Sequence, residues 1–225
     1  MPHPPTHVVT IDGPAASGKS STAQWVADTL GWLHIDSGSL YRAATWARQQ
    51  VAGAPDAWTE QSVLDAAHDL SLRPGKSIFV PAKGETELGD AIRSLAVTAE
   101  VSRVARMPGV RAWVNARVRD AAARRDVVVD GRDMGTVVFP EAPLKIWLVA
   151  DPWERARRRL TQRLHRRPAD HEIAAETDEL VQRDARDATQ TLQAKDAVLV
   201  DTTYLTQPEQ VERIVALARA VVQKR

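Results

Sequence analysis

The sequence predicts an α/β fold: a five-stranded parallel sheet with helices on both faces. Three observations carry this expectation. A short β-branched run at 8–11 enters Gly13-Pro14-Ala15-Ala16-Ser17-Gly18-Lys19-Ser20 and leaves it as a helical stretch from Ser21. Four more short apolar runs follow, at 32–35, 126–130, 144–149 and 197–201. Between them lie helical patterns rather than tight hairpin turns, which is how parallel strands are connected.

The first connection carries chemistry. Its pattern is Gly-x-x-x-x-Gly-Lys-Ser, a loop whose glycines let successive backbone N–H groups turn inward around phosphate oxygens. Lys19 reaches the outer phosphates and the Ser20 hydroxyl can ligate Mg²⁺. The helix that follows points its N-terminus at the same anion.

The second strand ends at Asp36-Ser37-Gly38, and a helix opens near Ser39. Ligands of open parallel sheets sit beyond the carboxyl ends of the strands, so Asp36, Ser37, Tyr41 and Arg42 share the rim of the phosphate loop. Asp36 and Ser37 would also serve as plain helix caps. From 59 to 95 the pattern changes. Leu70-Ser71-Leu72-Arg73 alternates, Pro74-Gly75-Lys76 turns, 77–80 is strand-like and Lys83-Gly84-Glu85 turns again. This reads as a small antiparallel β insertion. A helical pattern resumes at 98–106 and breaks at Pro108-Gly109. The next helix, from Val110, sets Trp113, Val114 and Val118 on one face. The run 126–130 is a continuous apolar strand ending in Asp130, as suits a tip facing a metal–phosphate site. The last helix opens with a Thr206/Glu209 capping box and buries Val211, Ile214, Val215, Ala218, Val221 and Val222.

Residues 151–170 hold Arg155, Arg157, Arg158, Arg159, Arg163, Arg166 and Arg167. A helix cannot aim all of them one way, so some are solvated and two or three are expected to meet a triphosphate. Arg183 and Asp187, four apart, share a helix face. They suit either a simple salt bridge or a donor–acceptor pair for a sugar phosphate.

Bulk properties narrow the class. Thirty Lys and Arg balance twenty-nine Asp and Glu, giving no case for a nucleic-acid or membrane surface. There is no Cys, hence no disulfide, thiolate metal site or cysteine nucleophile, which suits a cytoplasmic setting. No apolar run approaches the 18 or so residues of a membrane span. Residues 1–6 lack the basic and apolar regions of a signal peptide and read as a frayed tail. A monomer is expected.

A phosphate loop, a second rim and a basic segment together indicate phosphoryl transfer. That reaction needs alignment of donor and acceptor, and cations to neutralise developing charge. A mobile arginine-bearing lid would exclude water as a competing acceptor. At this point the residues resemble a known family. Ile11-Asp12-Gly13-Pro14, Asp36-Ser37-Gly38 with Tyr41-Arg42, and Asp130-Gly131-Arg132-Asp133-Met134-Gly135-Thr136-Val137-Val138-Phe139-Pro140 resemble bacterial cytidylate kinases. So do Glu154-Arg155-Ala156 before Arg158-Arg159, and Arg183-Asp184 with Asp187. The resemblance runs from 11 to 203.

It implies a nucleoside monophosphate kinase fold. The core would comprise 1–38, 114–150 and 171–225, with a CMP-binding domain at 39–113 carrying the β insert at about 59–95 and a short helical lid at 151–170. ATP and Mg²⁺ would occupy the loop, residues Gly13 to Ser20 with Ser21, and CMP or dCMP would be the acceptor. Ser37, Tyr41, Arg42, Arg132 and Arg183 match positions around the CMP phosphate and sugar. Asp187 matches the holder of the sugar hydroxyls, and Ser102, Arg111 and Asp133 match the readers of the base. Lys19, Arg132, Arg158, Arg159 and Arg183 would neutralise the transferring phosphoryl group. The chemistry of the trio fits cytosine: Asp133 and Ser102 accept from the N4 amino group, and Arg111 donates to N3 and O2. Two features depart from the family. Gln190 stands where many relatives carry a phosphate-binding arginine. Ser20-Ser21 stands where some relatives have Gly-Thr, leaving two candidate hydroxyls for Mg²⁺, of which the loop logic favours Ser20.

Rival readings are weaker. A GTP-binding switch needs Asn-Lys-x-Asp, and the sole asparagine, Asn115, is followed by Ala116. A nucleic-acid-dependent ATPase would interleave aromatics in its basic tract, and here only Trp153 does so. Another small-molecule kinase, of UMP/CMP or shikimate type, shares the loop and lid; the shikimate type has no use for a cytosine reader.

Overall fold

The structure, a computed structural model, describes residues 7–223. The expectation of a frayed tail at 1–6 lies outside them. Five parallel strands, β1 (Val8–Asp12), β2 (Leu33–Asp36), β6 (Val127–Gly131), β7 (Leu144–Val149) and β8 (Val198–Asp201), form one sheet in the order β2-β6-β1-β7-β8. Strands β3 (Leu70–Pro74), β4 (Phe79–Lys83) and β5 (Thr86–Glu87) form a separate antiparallel sheet.

Side-chain alternation sorts the core onto two faces. Val9, Ile11 and Val128 point one way, against α1 (Lys19–Leu30) and α8 (Gln207–Val222). Val127, Val129 and Ile35 point the other way, into a larger cluster with α2 (Ser37–Gln49), α4 (Leu95–Val104) and α5 (Pro108–Ala122). Ile11, Ile146 and Leu148 are wholly buried, each stabilising the fold by about 1.5–3 kcal/mol. A third, smaller cluster, with Ala156, Leu160, Ile173 and Leu180, joins α6 (Pro152–Leu164) to α7 (Asp170–Asp187) and rests on Ala15 of the phosphate loop.

Local chemistry moves several boundaries. Helix α2 begins at Ser37 because the Asp36 carboxylate accepts from Ser39 N at 3.2 Å. Helix α4 begins at Leu95, three residues before the expected 98, because Ser94 caps it. The stretch expected to be wholly β insert opens with a helix, α3 (Glu60–Ala66), set by a Thr59/Ser62 capping box. The second insert strand is not 77–80. It starts at Phe79 and runs through Pro81, whose carbonyl still accepts from Leu88 N at 2.9 Å. Ser77 is instead drawn to the main sheet, where its carbonyl accepts from His34 N at 2.9 Å. Val221 and Val222, expected as core, are only half-buried in the last turn of α8.

The strand order creates a crevice. The chain leaves β1, crosses beyond β6 to β2 and later returns on the other side of β1 to β7, so connections diverge above the ends of β1 and β6. Gly13 sits at that point, and a Cβ there would lie 2.1 Å from the Leu148 carbonyl oxygen of β7. Gly13→Ala must therefore push β1 and β7 apart. The expected result is a loss of about 1–3 kcal/mol in urea unfolding, with an unchanged denaturant slope.

Candidate active site

Four strands end in a carboxylate at or next to the tip, Asp12, Asp36, Asp130 and Asp201. Parallel register sets Asp36 beside Asp130, and Ile11, the residue before Asp12, beside Asp130. These acids organise the cationic loops above them. Both Asp12 oxygens accept backbone N–H groups, from Met134 at 2.9 Å and Gly135 at 2.7 Å. They shape the π-helical turn Met134–Val138 that follows Asp133. Burial pushes the Asp12 carboxyl up to about 6.

The phosphate loop is held from a distance. Asp184 of α7 accepts from Ala15 N at 3.0 Å, and Arg155 of α6 donates to Ala15 O at 2.7 Å and to Asp184 at 2.6 Å. Gly18 precedes α1 in the left-handed region, φ 87°, which turns the loop into the helix. Lys19 Nζ donates to Pro14 O at 2.5 Å. Ser20 Oγ donates to Asp130 Oδ2 at 2.7 Å.

Two cavities meet above the sheet. The larger, about 970 Å³, is lined by Ala16 to Ser21, by Arg157, Arg158 and Arg159, and by 203–207. The smaller, about 270 Å³, takes in every residue expected at the acceptor: Ser37, Tyr41, Arg42, Ser102, Arg111, Arg132, Asp133, Arg183 and Asp187. Ala16, Lys19, Ser20, Arg42, Arg93 and Arg183 line both. Four of those six carry positive charge, so the waist between the cavities is cationic. Gly13, Pro14 and Ala15 belong to the loop but do not line the larger cavity; Ala15 lines the smaller one. Gly13 O accepts from Arg132 at 3.1 Å.

The smaller cavity has one charged wall after another. Arg111 is ion-paired with Asp133. Burial raises the Asp133 carboxyl, with the Arg111 charge opposing. Gln190, in place of an arginine, accepts from Arg111 at 3.2 Å and helps fix its guanidinium. Arg132 and Arg183 both face Asp187, at 3.3 and 3.7 Å. Arg42 donates to Thr98 Oγ1 at 3.0 Å. The Tyr41 hydroxyl is buried without a partner, and burial pushes it up to about 12. Of the two arginines expected at the triphosphate, Arg158 donates to Thr202 O at 2.6 Å and Thr203 O at 3.0 Å. Arg159 pairs with Glu176 at 3.2 Å.

One site residue escaped the sequence, and one role did. Arg93 lies at the waist, 3.7 Å from Asp36, but in sequence it ends an unremarkable stretch of the insert. Arg155 and Asp184 stand in the blocks that carry the family resemblance, but no local pattern shows that they clamp a loop some 140 to 170 residues away. The described residues contain no group of three or more His, Asp or Glu able to hold a metal by itself.

Desolvation and the Arg132 charge lower the Lys19 ammonium to about 7, against partial support from Asp130 and Asp12. A bound polyphosphate restores the charge, so binding takes up a proton above pH 7, where the free amine has lost it. Below about pH 6 the amine is already charged and no uptake follows. Calorimetry with tripolyphosphate in buffers of differing ionisation enthalpy should show close to one proton more taken up at pH 8 by the parent chain than by Lys19→Met. Equal uptake by both would refute the depressed lysine.

The family profile described as "Cytidylate kinase" matches residues 9–220. A cytidylate kinase of Lactiplantibacillus plantarum is 38% identical over 224 residues, covering 96% of this chain and 95% of that protein. One from Geobacillus kaustophilus is 41% identical over 216 residues, covering 93% and 95%. Among solved structures, an uncharacterized protein from Eubacterium ventriosum shares the fold, with a TM-score of 0.51 at 9% identity over 95% of this chain and 99% of that one. Profile and relatives alike span nearly the whole length, and the chain belongs to the cytidylate kinase family.

Proposed function

We propose that this chain transfers the γ-phosphoryl group of ATP to CMP or dCMP, giving ADP and the nucleoside diphosphate. The observation that carries this reading is the cationic waist: Lys19, Arg42, Arg93 and Arg183 line both cavities at their junction. Two anionic phosphates brought face to face repel, and a ring of fixed cations is what lets them approach in line.

ATP takes the larger cavity, with its phosphates over the loop N–H groups from Ala16 to Ser21 and Lys19 against the outer phosphates. Ser20 suits Mg²⁺, since its hydroxyl proton goes to Asp130 and leaves oxygen lone pairs facing the cavity. One protein oxygen plus phosphates and water is an ordinary Mg²⁺ set. When bound, that ion would neutralise phosphate charge. CMP takes the smaller cavity. Arg42, Arg132 and Arg183 hold its 5′-phosphate with Ser37 and Tyr41, and Asp187 accepts from the sugar. Asp133 and Ser102 accept from N4 while Arg111 donates to N3 and O2, so the Arg111–Asp133 ion pair gives way to the base. The β insert and the helices around it, within 39–113, form the acceptor-binding part. Residues 151–170 act as the lid, delivering Arg158 and Arg159 from their present carbonyl and Glu176 partners onto the triphosphate.

Uracil reverses the pattern at N3 and position 4, leaving Asp133 facing an acceptor and Arg111 facing a donor. A coupled ADP-release assay with ATP, Mg²⁺ and a panel of CMP, dCMP, UMP, AMP, GMP and shikimate should give turnover with CMP and dCMP first. Absence of ADP with CMP would sink the reading. Asp133→Ala should lower the CMP-over-UMP ratio of kcat/KM by about tenfold or more while changing the KM for ATP less than about threefold. An unchanged ratio would remove Asp133 from base recognition.

A further inference from the structure

His34 lies in β2, is 1% exposed and is not among the residues that line either cavity. In sequence it interrupts an apolar run. In the structure its ring bridges two elements. Nε2 is 2.6 Å from Asp130 Oδ1, and Nδ1 is 3.1 Å from Gln24 Oε1 on α1. The Gln24 amide cannot be turned round. Its nitrogen faces Asp28 Oδ1 at 3.0 Å, Ser77 Oγ at 3.1 Å and Ser77 O at 3.4 Å, two of which can only accept. The amide oxygen must therefore face His34, and Nδ1 must donate to it. Nε2 faces a carboxylate oxygen and donates to it when that oxygen is unprotonated, which puts hydrogen on both ring nitrogens.

We propose that His34 is a positioning residue for phosphoryl transfer: locked by Gln24 and by Ser77 of the β insert, its ring holds Oδ1 of Asp130 and so aims Oδ2 at Ser20. This rests on the ATP-and-CMP reading above. Asp130 is 3% exposed and carries two tasks, one per oxygen: Oδ1 takes the His34 bond and Oδ2 takes the Ser20 hydroxyl. Register places the Asp36 carboxylate alongside it. Burial, and then the Asp130 charge, raise the Asp36 carboxyl, so this corner already strains to hold two acids. The surrounding charges are Lys19 across the loop, Arg93 at 3.7 Å from Asp36, and Asp28 behind Gln24. Without the ring, Oδ1 would lose its partner, the carboxylate would be free to turn, and Ser20 would lose the orientation that Oδ2 sets. Burial alone would lower the imidazole, yet the Asp130 bond and charge raise it, in agreement with the hydrogen-bond geometry.

The insert is part of this device. Ser77 grips the His34 backbone through its carbonyl, at 2.9 Å, and the His34 ring through Gln24. The antiparallel sheet thus buttresses the phosphate loop from the far edge of β2.

The test combines a spectrum and a kinetic cycle. In ¹⁵N-detected spectra of the parent chain at pH 7.5, both His34 nitrogens should show imidazolium shifts; a neutral tautomer would overturn the proposal. His34→Leu removes both donors and His34→Gln keeps one toward Asp130. The expected loss in kcat is about tenfold or more for Leu and severalfold less for Gln, with the KM for CMP within about twofold of the parent. Asp130→Asn combined with His34→Leu should be no slower than Asp130→Asn alone, because the two act as one unit. Independent, multiplying losses would refute the coupling. Should His34→Leu fail to fold, by thermal melt, the spectrum and the Gln variant still decide. Inactivity of the parent chain toward CMP would instead indict the substrate reading, leaving the spectral result to stand alone.

Discussion

Mutual repulsion among Lys19, Arg42, Arg93, Arg132 and Arg183 is the constraint on which this structure depends. Lys19, Arg42, Arg93 and Arg183 line both cavities where they meet, and Arg132 lines the smaller one beside them. Like charges at that spacing in a half-buried crevice must be offset by fixed carboxylates. The offsets are specific. Asp187 faces Arg132 and Arg183, Asp36 faces Arg93, and Asp184 takes Arg155 together with a loop N–H. The Asp187 and Asp36 pairs are loose enough for a phosphate to replace, unlike the 2.6 Å pair of Asp184 with Arg155. The 3.3 to 3.7 Å separations around Asp187 and Asp36 describe cations restrained rather than satisfied.

The carboxylates come from the sheet. Parallel strands deliver their ends to one edge, and three of the five end there with an acid in the last position, while β6 has one just before its end. Each has a distinct duty. Asp12 shapes the turn after Asp133 through two backbone N–H groups, Asp36 caps α2, and Asp130 holds Ser20 and His34. The rigid sheet thereby fixes the acceptor wall and the phosphate loop relative to one another. That fixity matters because in-line transfer depends on sub-ångström placement of donor and acceptor.

Legibility followed the range of the physics involved. The phosphate-loop pattern could be read outright, because it is written in consecutive residues from Gly13 to Ser20. The five core strands could be read from short apolar runs. The acceptor wall became legible through the block from Asp130 to Pro140, and the structure gathers all nine expected acceptor residues around one cavity. The insert was found but misregistered: Ser77 leaves its own hairpin for the edge of the main sheet, a choice made by His34, far away in sequence. Arg93 offered nothing to read, and Asp184 only its place beside Arg183 in a family block, since a surface-type charge looks the same whether it meets solvent or a loop.

The sequence by itself determined the α/β layering, the loop that grips phosphate and the types of residue set against it. Periodicity and local backbone chemistry are written in neighbouring residues. Only the tertiary structure decided which charges restrain which. Gln190 turned out to steady Arg111 rather than simply to lack a charge, and His34 to serve Asp130 rather than fill a strand. Electrostatic and hydrogen-bond energies depend on separations of a few ångströms between residues a hundred positions apart. Those distances exist only once β6 has been inserted between β1 and β2. The loop that opens the chain therefore owes its geometry to strands, helices and an insert that all follow it.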